Sequence, residues 1–109
     1  MRTFPSGATR DTDGVKADYE GFLSPLVIRR FGAYMHRHRV QADGTPRASD
    51  NWQKGIPQDA YIQSAWRHFL DVWSAHRGDT TVDIEDALCA LFFNVQGYLH
   101  ERLRALRQP

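Results

Sequence analysis

Between Ile84 and Leu106, apolar residues return every three or four positions: Ile84, Leu88, Leu91/Phe92, Val95, Leu99, Leu103 and Leu106. An α-helix gathers positions with that spacing on one face, so the run predicts a helix over about 82–106. Thr80 or Thr81 offers an N-cap, and Asp83, Glu85 and Asp86 fall in the first turn, where the helix dipole favours acids. Two earlier segments read the same way. Pro57 opens a helix of about 57–76 with the face Ile62, Ala65/Trp66, Phe69 and Val72/Trp73, and Gly78 stops it. Ser24-Pro25 gives a cap and a first-turn proline to a helix of about 25–39 with Val27, Phe31 and Tyr34/Met35, which the turn formers of 41–46 end. No segment alternates with the period of a strand. The expected class is all-α, a small helical bundle.

The turn formers Pro5, Gly7, Asp11, Asp13, Gly14 and Gly21 make residues 1–23 an expected extended arm, with 24–109 as a single helical domain. With 41% hydrophobic and 25% charged residues the composition is that of a globular chain rather than a disordered one. A formal net charge of +1 provides no field for non-specific nucleic-acid binding, so none is expected. Cys89 is the only cysteine, which excludes an intrachain disulfide and a zinc site of several thiolates. Flanked by Leu88 and Leu91, it is expected to be a buried, inert thiol. No apolar run approaches the ~20 residues of a membrane span, and Met1–Gly7 has no signal-peptide core. A cytosolic protein is expected. Helix 57–76 spreads Tyr61, Ile62, Trp66, Phe69 and Trp73 over more than one packing stripe, and helix 82–106 adds Phe92, Phe93 and Tyr98. That surplus predicts a core completed by oligomerisation, as a homodimer or homotetramer.

Several polar groups are placed for chemistry. Asp83, Asp86/Ala87, Ala90, Asn94 and Gly97 form a second stripe on helix 82–106, with acids at one end and small residues along it. Small residues admit a ligand or a neighbouring helix, while the acids also serve as simple complements to the helix N-terminus. His68 and Asp71, three apart on helix 57–76, can face one object; a bonded structural pair is the plainer alternative. Together the two pairs provide oxygen and imidazole donors of the kind that hold Mg²⁺ or Mn²⁺ between bundle helices. In the polar loop 41–56, Trp52 can stack on a base, Asn51 can read its edge and Lys54 can meet a phosphate, although a tryptophan beside a glycine turn is equally a core plug. The basic run Tyr34-Met35-His36-Arg37-His38-Arg39 reads as a solvated helix end more than a zinc site.

The segments Asp50-Asn51-Trp52-Gln53-Lys54-Gly55-Ile56, Ser64-Ala65-Trp66-Arg67-His68-Phe69 and Glu85-Asp86-Ala87-Leu88-Cys89-Ala90-Leu91-Phe92-Phe93-Asn94, with Gly7-Ala8-Thr9-Arg10-Asp11 and Lys16, belong to one pattern. It resembles a phage-encoded family known as the N-terminal domain of dATP/dGTP diphosphohydrolase, and the resemblance runs over nearly the whole chain. That family is related to all-α nucleotide pyrophosphohydrolases of MazG type, which hold Mg²⁺ with two acidic pairs on successive helices and pair to complete their bundles. The resemblance implies a nucleoside triphosphate substrate, with dGTP or dATP as examples, cleaved to monophosphate and pyrophosphate in the host cytoplasm. It implies a metal set drawn from His68, Asp71, Asp83, Glu85 and Asp86, with His68 where the pattern has a glutamate and Glu85 as an alternative to Asp83. His68, Asp71, Glu85 and Asp86 become the catalytic candidates. Arg67, Lys54, Arg10 and Lys16 become candidates for the triphosphate, and Trp52, Asn51 and Asn94 for base or sugar. The rival expectation is a non-catalytic helical protein-interaction module.

Overall fold

The computed structural model describes residues 2–10 and 16–107. It is mostly helical. A four-residue α1 (Tyr19–Phe22) precedes α2 (Pro25–Arg37), α3 (Gln58–His76) and α4 (Ile84–Arg107), with a 3₁₀ turn at Asn51–Lys54 between α2 and α3. No helix among the described residues is long and apolar enough to cross a membrane.

The punctuation read from the sequence accounts for most boundaries. Ser24 accepts at its hydroxyl from the N–H of Val27, and Pro25 fills the first turn of α2, where a missing N–H costs nothing. Gly78 takes φ +106° just after α3, the left-handed conformation that glycine adopts without strain. The cap of α4 is a correction. Thr81 is instead tied to the carboxylate of Asp79, through its N–H at 2.9 Å and its hydroxyl at 2.6 Å. Asp83 does the capping, its Oδ1 accepting from the N–H groups of Glu85 (3.0 Å) and Asp86 (3.2 Å).

The arm also holds more order than expected. Arg2–Thr3 (β1) pairs antiparallel with Thr9–Arg10 (β2) across a Pro5–Gly7 turn in which Gly7 has φ +89°. This strand pair is too short to leave a period-2 signal. Asp18 then caps α1 by accepting from the N–H of Gly21.

The centre of the fold is the antiparallel hairpin of α3 and α4. Its buried residues are Tyr61 on α3 and Ala87, Cys89, Ala90, Asn94 and Gly97 on α4. The face of α4 turned to α3 is therefore the small-residue stripe, and the helix that it admits is α3. The apolar stripe of α4 lies largely outside that interior: Leu88 is 48% exposed, Val95 58% and Leu99 53%. Small side chains allow two helix backbones to approach closely, and the hairpin uses that face. Gly97 is the extreme case, since a Cβ there would overlap the ring of Tyr61. Cys89 is buried as expected, and burial pushes its thiol pKa up.

α2 joins this hairpin by a smaller contact. Phe31 packs on Phe92 with ring centroids 4.6 Å apart, and guanidinium–carboxylate bonds from Arg30 and Arg37 join the same two helices.

Candidate functional site

α2, α3 and α4 meet around an open cleft of about 350 Å³. Tyr34 and His38 come from α2 and its cap, His68 and Asp71 from α3, and Asp83 and Asp86 from the start of α4. Ala87 and Ala90 lie in its wall. The three-residue spacing within each pair puts both members on the same helix face. The antiparallel hairpin then brings the two pairs to the same end. Four of the expected ligands thus line one cleft.

One acid of that cleft, Asp86, is held by two arginines of α2. Arg30 donates from Nη2 to Asp86 Oδ1 at 2.7 Å and from Nε to Glu85 Oε1 at 2.8 Å. Arg37 donates to the other oxygen of Asp86 at 2.6 Å. The Arg30 bond, then that of Arg37, holds the Asp86 carboxyl below the ordinary carboxylate range against the opposing effect of burial. Its bonds to Asp86, then to Glu85, hold the Arg30 guanidinium above its usual pKa. Burial, followed by the charge of Asp86, raises the phenol of Tyr34. These arginines were not anticipated as site residues. Their spacing was a usable signal, because positions seven apart lie two turns along one helix stripe.

Carboxylate and imidazole are suitable donors for Mg²⁺ or Mn²⁺. The arrangement does not suit such an ion. Among the described residues no three His, Cys, Asp or Glu side chains gather as a metal-holding group. Both oxygens of Asp86 are engaged by guanidinium groups, Asp83 Oδ1 caps α4, and Glu85 is exposed and bonded to Arg30.

The other expected site residues are dispersed. Asn51 and Trp52 line a separate hollow beside α2. Lys54 ends the 3₁₀ turn, exposed, and Arg67 is exposed on α3. Arg10 on β2 and Lys16 before α1 are exposed, while Asp11 lies outside the described residues. Asn94 is buried and donates its amide to the carbonyl of Ala90 at 2.8 Å, which is a helix-internal bond. No family model, curated protein or solved structure matches the chain.

Proposed function

We propose that this chain is a nucleoside triphosphate pyrophosphohydrolase, acting on purine deoxynucleotides such as dGTP or dATP and releasing the monophosphate and pyrophosphate. One observation carries the reading: His68, Asp71 and Asp86, from two different helices, line a single open cleft. Around it stand the groups such a reaction uses. The guanidinium groups of Arg30 and Arg37 are suited to meet phosphate oxygens in place of Asp86. His68 or Asp71 can take a proton from the water that attacks the α-phosphorus as pyrophosphate leaves. The family resemblance implies Mg²⁺ or Mn²⁺ as the cofactor.

The reading includes a second copy of the chain. Ile62, Trp66, Phe69 and Trp73 of α3 and Val95, Leu99 and Leu103 of α4 are each more than 40% exposed, at the spacing of a bundle seam. The same apolar face favours the alternative reading, a non-catalytic helical interaction module.

The assay that separates the two measures pyrophosphate release across the nucleoside triphosphates with Mg²⁺, Mn²⁺ or EDTA. The double variant His68→Ala with Asp71→Asn is expected to reduce turnover at least 100-fold while leaving the helical circular dichroism intact. Turnover near that of the wild type would remove the His68–Asp71 pair from the site, and no release with any substrate would leave the interaction module.

A further inference from the structure

A second hollow, of about 380 Å³, lies between the C-terminal end of α2 and the segment 47–56. We propose that it is a nucleoside monophosphate subsite, taking a flat base on Trp52 and a phosphate on Arg39 and Arg47. As a subsite of the substrate it rests on the pyrophosphohydrolase reading; as a binding site it stands on the hollow alone.

The lining is chemically one-sided. Its charged and titratable members are Arg39, Arg47, His36 and His38, with no carboxylate among them. An anionic ligand is what such a wall recognises. The same lining holds Trp52, Phe93, Met35 and Ile56, apolar groups among which the Trp52 indole can stack on a ring. The volume falls within the range of small-ligand sites, about 300–1,000 Å³.

Both parts are already held in position. The backbone N–H of Arg47 donates to the carbonyl of Arg39 at 3.0 Å, and Arg39 Nε donates back to the carbonyl of Arg47 at 2.9 Å. A Val40–Pro46 bridge closes the loop between them. A guanidinium has five N–H donors, so this bond leaves Arg39 with its terminal fork for phosphate. Trp52 meets Phe93 edge-on at 5.9 Å and His100 at 4.8 Å, and Arg104 donates to the carbonyl of neighbouring Gln53 at 2.7 Å. A ring fixed in advance costs little further ordering when a base stacks on it.

The hollow also adjoins the cleft, because His38 lines both. Its ring lies 4.2 Å from that of Tyr34, another cleft residue. A nucleotide seated in the hollow would turn its α-phosphate toward His38, where hollow and cleft meet, and extend its β- and γ-phosphates into the cleft. The hollow holds the nucleoside, and the α-phosphorus would react at that junction, with pyrophosphate leaving from the cleft.

Equilibrium dialysis of the full chain in EDTA, with dGMP, deoxyguanosine and inorganic phosphate as separate probes, tests this. Binding of dGMP is expected to exceed that of either fragment, and to weaken at least tenfold in both Arg47→Ala and Trp52→Ala. Arg47 makes its loop bonds through the backbone, so its variant keeps the loop. The milder Trp52→Phe, expected to retain most binding, guards against collapse of the turn. The proposal falls if dGMP does not bind, binds no better than phosphate or deoxyguanosine, or binds Arg47→Ala and Trp52→Ala as well as it binds the unaltered chain. If dGMP binds through Arg47 and Trp52 but pyrophosphate is never released, the hollow stands and the catalytic reading fails. If turnover is present and dGMP ignores both residues, the reverse holds.

Discussion

The ring of Tyr61 lies over Gly97, where the closest packing of α3 on α4 leaves no room for a β-carbon. Gly97→Ala gains about 1 kcal/mol of helix propensity but forces a fully buried aromatic ring to move. Overpacking of this kind costs typically 1–3 kcal/mol and sometimes more. We expect net destabilisation and a fall in Tm of at least roughly 5 °C, read by circular dichroism. An unchanged Tm would mean that the hairpin is looser than this contact requires.

Tyr61 itself yields the opposite expectation. Its hydroxyl is buried with no hydrogen-bond partner among the described residues, and burial pushes its pKa up. Tyr61→Phe removes an unsatisfied group while keeping the ring, which should raise stability by about 1 kcal/mol. Chemical denaturation of the two proteins compares them directly; a loss of stability would reveal a partner for the hydroxyl.

Acid should loosen the protein in a defined window. Asp86 is held below its ordinary range by Arg30 and Arg37, and Asp79 is held low by Thr81 and Ser74. A carboxylate with a depressed folded pKa contributes stability that is fully present above its unfolded value, about 3.9, and lost as pH falls through the folded value. Urea midpoints should therefore be flat from pH 7 to 5 and fall below about pH 4. In Asp86→Asn the fall should be shallower. An identical acid profile for the two proteins would show that the arginine pair contributes nothing at that position.

The exposed seam predicts association. Light scattering at micromolar concentration should return at least twice the 12.5 kDa of one chain. Leu99→Glu, in the middle of the α4 stripe, should shift the mass toward the monomer. A wild-type monomer that melts cooperatively would remove the second copy from the proposal.

The helices were legible in the sequence and their facing was not. Period, caps and glycines located α2, α3 and α4 to within two residues at each end, because those signals act within a few residues of chain. Which stripe of α4 meets α3 depends on something outside α4: how near another backbone can come. Ala87, Ala90 and Gly97 permit that approach, so the small stripe became the interior and Leu88, Val95 and Leu99 were left outside. The candidate site divided in the same way. Short spacing puts His68 beside Asp71 and Asp83 beside Asp86, and all four line one cleft. The guanidinium groups that neutralise Asp86 stand about 50 residues away, on a helix whose position no local period encodes. Asn94 was similarly ambiguous: a short amide four residues beyond Ala90 reads as a ligand contact until its own carbonyl partner is seen.

The way α2 is attached gives the molecule two grades of cohesion. α3 and α4 are joined along a face where Tyr61 closes on Gly97, whereas guanidinium–carboxylate bonds at a half-exposed surface supply much of the attachment of α2, beside the Phe31–Phe92 contact. Mobile ions weaken the second kind of attachment and leave the first untouched. Ionic strength thus acts as a selective release, so that amide protons of α2 exchange with solvent through a local opening in which the hairpin takes no part. Because Tyr34 and His38 travel with α2, the cleft would widen on its α2 side each time that opening occurs, while the acids and His68 stay in register.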